Sequence, residues 1–225
     1  MRNSLIIALF MSSFTAFGQS VGFSGGINLG VFNEDYADPD LESDYKFRVG
    51  YQLGMIVDFN ISEQFALRPG LRLSSKGGSL DDPNLEDGDY LRQSLTYLEI
   101  PINFTGKFDD FRIYAGPYVA FGLSGSANLN VNGVEQSLPY EFVNEATFAQ
   151  VTGNNEEIYI KNIDAGVQIG MAYRISQVEI FGEFSTGFVN LTPDIADTDF
   201  DPDDLKATNQ VISLGLTYFL KSKNE

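Results

Sequence analysis

The 225-residue chain contains no cysteine, histidine or tryptophan, and its 14 Lys and Arg stand against 31 Asp and Glu, for a net charge of −17. Without cysteine there is no disulfide framework and no thiolate nucleophile; without histidine there is no Ser-His-Asp triad, no HExxH metal site and no conventional structural zinc. A balance this acidic repels nucleic acid and anionic surfaces and attracts cations or basic partners.

At the amino terminus Met1, Arg2 and Asn3 precede an apolar run from Leu5 to Phe10, followed by small and polar residues up to Gly18 and Gln19. This pattern predicts a signal peptide over residues 1–18, too short to stay as a membrane span, and a mature domain over residues 19–225. With no cysteine after the run, no lipoprotein anchor is expected. The mature length suits one all-β domain. No later stretch reaches the roughly 18 consecutive apolar residues of a membrane helix, so any membrane crossing has to be made by strands closed into a barrel.

Eight segments then alternate apolar and non-apolar residues: 21–32, 47–60, 65–75, 94–104, 112–123, 158–173, 178–191 and 209–220. Each meets the about 9 to 11 residues that a tilted strand needs to cross a bilayer. In the first, Gly22, Gly25, Gly26 and Gly30 resemble a phosphate loop only superficially, since no helix bearing a lysine follows; they predict close strand packing. In the second, Val49, Tyr51, Leu53 and Met55 alternate with Gly50, Gln52, Gly54 and Asp58. In the fourth, Leu98, Ile100, Ile102 and Phe104 oppose Tyr97, Glu99, Pro101 and Asn103, and in the sixth Val167, Ile169 and Met171 oppose Asp164, Gly166 and Gln168.

A soluble calyx would bury the oily face, whereas an outer-membrane barrel turns it to lipid and keeps polar groups in the lumen. Charged residues within the strands favour the second architecture. Arg68, Arg72, Glu99, Arg112, Asp164, Glu179 and Glu183 share faces with Gly, Ser or Tyr and carry both signs, as a lumenal charge network requires. Connections 61–64, 105–111 and 174–177 are short, while 33–46, 76–93, 124–157 and 192–208 are long and hold most of the acid. The expectation is therefore an all-β, eight-stranded antiparallel up-and-down transmembrane β-barrel in the bacterial outer membrane, with short periplasmic turns and long acidic extracellular loops.

Two loops carry further candidates. In the last long connection Asp197, Asp199, Asp201 and Asp203 are spaced by two, as alternate oxygen ligands for Ca²⁺ would be. Pro202 stands where an EF-hand needs glycine and no bidentate Glu follows, so the segment reads as a solvated acidic loop with at most weak divalent-cation binding. Phe142, Val143 and Phe148 in connection 124–157 supply apolar surface to fold over the barrel or meet a partner.

Tyr97-Leu98-Glu99-Ile100-Pro101-Ile102, Tyr114-Ala115-Gly116-Pro117-Tyr118 and Asp164-Ala165-Gly166-Val167-Gln168-Ile169-Gly170 together resemble the PorT-like outer-membrane β-barrel proteins of the Bacteroidetes. The resemblance spans the mature chain and implies an eight-stranded outer-membrane barrel, with Pro101 and Pro117 at sites that local bulging accommodates, and an association with secretion machinery. The carboxyl end departs from it: such barrels commonly finish on an aromatic, whereas Phe219 is followed by Leu220, Lys221 and four more residues. The functional expectation is a non-enzymatic scaffold or assembly and secretion component without cofactors, in contact with outer-membrane lipid and envelope proteins and not with nucleic acid. A small-ligand-binding or narrow transport barrel is the alternative, and an enzyme acting on lipid or envelope sugar is disfavoured by the missing histidine.

Overall fold

The computed structural model describes residues 20–36, 45–80, 89–147, 149–150, 156–196 and 205–220. The predicted signal peptide, the tetrad Asp197, Asp199, Asp201 and Asp203, and Phe148 lie outside the described residues. Among the described residues thirteen strands follow in chain order: β1 (Ser20–Tyr36), β2 (Tyr45–Asn60), β3 (Phe65–Lys76), β4 (Gly78–Leu80), β5 (Tyr90–Phe108), β6 (Phe111–Val131), β7 (Val134–Val143), β8 (Glu145–Thr147), β9 (Ile158–Lys161), β10 (Ile163–Ile175), β11 (Val178–Gly187), β12 (Asp194–Ala196) and β13 (Leu205–Phe219). Eight of them, β1, β2, β3, β5, β6, β10, β11 and β13, pair antiparallel in succession. β13 then pairs with β1 from Gly22↔Phe219 to Tyr36↔Leu205, which closes the ring and leaves it no edge.

The two faces of the wall separate as the alternation requires. Leu53 is 59% exposed, Ile169 56% and Leu214 54% on the outside, whereas Glu99 and Asp164 are fully buried within. Exposed aromatics form two belts. Phe65, Phe104, Phe108, Tyr173 and Tyr218 lie towards the short turns, and Phe47, Tyr51, Phe121 and Phe188 towards the other end. An apolar wall banded by aromatics fits a bilayer and not bulk water.

Tight turns join the strands at one end. Ser62 Oγ accepts the amide protons of Gln64 at 3.3 Å and Phe65 at 3.1 Å, a local hydroxyl turn between β2 and β3. Asp109 and Ser176, at φ 53° and 57°, turn the chain between β5 and β6 and between β10 and β11. Pairing persists to Phe108↔Phe111, so the turn expected over 105–111 shrinks to two residues.

Prolines interrupt the ladder without shifting it. Pairing of β2 with β3 skips from Ile56↔Gly70 to Phe59↔Leu67 around Pro69. Pairing of β5 with β6 skips from Pro101↔Tyr118 to Phe104↔Ala115 around Pro117. A proline has no N–H to give, and the register absorbs that loss. The bulge expected at the prolines falls instead between Thr96 and Tyr97.

At the other end the strands outrun their predicted limits. β6 has 21 residues, about twice what a bilayer needs, and continues into β7 through Asn132 and Gly133 at φ 54° and 77°. That Asn-Gly pair is the strongest short-range hairpin signal, so much of the expected connection 124–157 is sheet. β7 then pairs in parallel with β9, Tyr140↔Ile158 to Val143↔Lys161, and β8 in parallel with β12. The segment expected as one strand over 158–173 breaks at Asn162, whose carbonyl accepts from the Gly122 amide at 2.8 Å; β9 belongs to the cap and only β10 to the ring. The cap encloses an apolar cluster that includes Phe32, Leu95, Tyr97, Tyr118, Tyr140, Ile160 and Leu191. Phe142 packs edge-on to Tyr97, ring centroids 5.8 Å apart, in a notch that exists because Gly122 has no side chain.

Candidate functional site

Alternate residues of each ring strand point inward, and the ring brings all seven predicted network residues, Arg68, Arg72, Glu99, Arg112, Asp164, Glu179 and Glu183, into the lumen. They are arranged in three tiers. Nearest the short turns, Arg68 donates through Nε to Asp58 Oδ1 at 2.6 Å and through Nη1 to Glu179 Oε1 at 2.7 Å. Arg174 Nη2 bridges the same two carboxylates, 2.9 Å from Asp58 Oδ2 and 3.1 Å from Glu179 Oε2, while Arg112 Nε lies 3.5 Å from Glu179. The Arg174 guanidinium also stacks on Phe219, 3.5 Å from the ring centroid, where planar charge and aromatic face attract.

In the middle tier Arg72 pairs with Glu99, with Glu183 at 2.8 Å and with Gln168 Oε1 at 2.9 Å. Gln168 Nε2 in turn donates to Asn103 Oδ1 at 3.0 Å. The upper tier centres on Lys76, whose ammonium is 2.8 Å from Glu99 Oε2 and 2.9 Å from Asp164 Oδ2. The same ammonium lies over the Tyr118 ring, 4.2 Å from its centroid. Asn209 Nδ2 donates to Asp164 Oδ2 at 3.0 Å.

Three members were absent from the predicted network: Asp58, Lys76 and Arg174. Each continues an inward-facing period of two, Asp58 with Gln52 on β2, Lys76 with Arg72 and Ser74 on β3, and Arg174 with Asp164 and Gln168 on β10. The sequence pattern places Lys76 and Arg174 in connections, whereas pairing of Lys76 with Leu95 keeps β3 in the wall one residue further than expected. With the three included, the cations Arg68, Arg72, Lys76, Arg112 and Arg174 match the anions Asp58, Glu99, Asp164, Glu179 and Glu183 one for one. Buried charges persist when paired in this way.

Such an arrangement fills space and fixes strands. The lumenal void lined by Gln52, Arg68, Arg72, Tyr114, Glu179 and Glu183 measures about 30 Å³, room for about two waters at 10–15 Å³ each. The Gln52 amide, buried without a hydrogen-bond partner of its own, borders it. Glu179 and Glu183 each bind an arginine, so neither stands as a lone acid or base. Among the described residues no group of three or more acidic side chains is placed to hold a metal ion.

A family model described as outer membrane protein beta-barrel domain matches residues 17–193. No curated protein matches the chain. Among solved structures, Neisserial surface protein A is similar over 89% of this chain and 96% of its own, with 10% identity and a TM-score of 0.43. Ail, the attachment invasion locus protein of Yersinia pestis, solved in complex with the heparin analogue sucrose octasulfate, is similar over 90% of this chain and 99% of its own, with 11% identity and a TM-score of 0.44. OprG from Pseudomonas aeruginosa is similar over 91% and 96%, with 10% identity and a TM-score of 0.40.

Proposed function

The chain belongs to the outer membrane protein β-barrel domain family and lies in the bacterial outer membrane, and from that premise we propose that it is a non-enzymatic scaffold of the envelope, closed to solute flow, that works through its long-connection end. Residues 1–18 are the leader removed on export and residues 19–225 the working barrel. The short turns face the periplasm and the acidic connections, those holding Asp197, Asp199, Asp201 and Asp203 among them, face outward as the contact surface for basic partners or divalent cations. Its kinship is with the PorT-like barrels of the Bacteroidetes, and its role is assembly or secretion alongside envelope proteins.

One observation carries this reading: paired charges and an apolar cap fill the lumen from Asp58 to Phe142. A barrel of eight strands is just wide enough for its own side chains. The alternative, a narrow transport barrel, needs an axial path, and the charged tiers leave a void only water-sized. Deleting the protein in its native cell and measuring release of secreted cargo tests the role, together with capture of cross-linked partners through the loops. Unchanged export with no envelope protein captured would refute the secretion role.

A further inference from the structure

β9 leaves one edge of the cap sheet open. In its parallel ladder with β7, Asn162 N donates to Val143 O at 3.0 Å, so Ile158 and Ile160 turn their backbone groups to β7 while Tyr159 and Lys161 turn theirs to the opposite side. There Lys161 N donates to Leu191 O at 2.8 Å. Two residues on, Pro193 has no N–H to give, and among the described residues the Tyr159 N–H and C=O take no partner. Tyr159 also lines a crevice of about 260 Å³ beside this edge. Phe32, Ile160 and Leu191, buried members of the cap cluster, form its apolar lining together with Pro193, Ile195 and Ala207. An apolar cavity of about 150 Å³ accepts benzene, so this one has room for a large aliphatic or aromatic side chain and the backbone that carries it.

An open edge takes up extended chain, because a further strand supplies matching N–H and C=O groups while its alternate side chains fill the pockets beside it. We infer that the β9 edge is a docking site for a short extended segment of a partner protein, which adds a strand beside Tyr159 and sets one large apolar side chain into the crevice. A small apolar molecule would fill the crevice and leave the Tyr159 groups unmet. β9 spans four residues, so the added strand is short. Among the lining residues and their immediate neighbours in sequence, Glu34, Asp35, Glu157 and Asp194 stand against Arg92, Lys161 and Lys206. With charge so nearly balanced, backbone bonding and apolar contact select the segment. The inference rests on the reading that the long-connection end meets envelope proteins, and it names the form of the segment met.

The probe is a capped, fluorescein-labelled Thr-Val-Leu-Val-Thr peptide, titrated against the full mature barrel in neutral phosphocholine nanodiscs. Its anisotropy should rise to saturation, above the level given by barrel-free discs. Replacing the central Leu by Ser should weaken binding at least about tenfold, a difference of about 1.4 kcal/mol. N-methylation of single peptide amides should do the same at one position, or at positions two apart, and leave the intervening positions unaffected, because alternate amides of a strand face opposite edges. Tyr159→Pro removes the edge N–H without touching the bonds to β7, and should abolish binding while heat-modifiable gel mobility and protease resistance of the cap are retained. Ala207→Phe, which fills the crevice, takes its place if Tyr159→Pro does not fold. Absence of saturable binding, binding indifferent to N-methylation, or binding that survives in the folded variant overturns the assignment. So does dimerisation of the barrel that Tyr159→Pro abolishes, which would put a second copy on the edge. None of these results alters export of cargo or cross-linking through the loops, so the edge site and the scaffold role fail separately.

Discussion

Lys76 is a cation taken wholly out of water, which in a protein interior costs several kcal/mol unless the charge is met. Glu99, Asp164 and the face of Tyr118 meet it. Removing it leaves Glu99 with Arg72, but leaves Asp164 with only the Asn209 amide and the Tyr118 hydroxyl. Lys76→Met should therefore destabilise the barrel by about 3–5 kcal/mol, read from urea unfolding in vesicles, and adding Asp164→Asn should restore most of the loss. If the double variant is no better than the single one, the pair is not coupled. Arg68 holds Asp58 and Glu179 in the same way, so Arg68→Met should be costly while leaving the wall residues untouched.

Strands carry the next prediction. Ile169 on β10 is 56% exposed, and Gln168 beside it is buried in the lumen. Ile169→Arg should cost about 2–4 kcal/mol if the outer wall meets the bilayer midplane, whereas an aqueous wall would make it neutral, and the same unfolding assay separates the two. Much of this is legible in the sequence. Period-two alternation gave the faces of β2, β5 and β10 and the seven inward charges, because a residue's side of a sheet follows from its count along the strand. Apolar alternation does not mark the strand ends, since strands continue past the bilayer where no lipid demands apolar residues; hence Lys76 and residues 124–131 read as connection although they are strand. Asn132-Gly133 did mark the β6–β7 hairpin. The parallel pairing of β7 with β9 is a long-range contact with no local signature. It predicts that Phe142→Ala, by emptying the notch at Gly122, leaves gel mobility intact while making β7 to β9 sensitive to added protease. Unaltered resistance would mean the ring does not hold the cap.

The whole molecule behaves as a sealed cylinder if the tiers and the cap are as tight as their distances indicate. Planar-bilayer recording should show no discrete large conductance, and stable open steps would contradict the occluded lumen. Closure itself has a cost in time, because the ladder between β1 and β13 joins residues from opposite ends of the described chain, Gly22 with Phe219. Contacts so distant in sequence form slowly. Until the final strand docks, β1 presents a row of unsatisfied amides and carbonyls that hydrocarbon cannot solvate. The nascent sheet therefore has to be chaperoned as an open ribbon until β13 arrives to latch it.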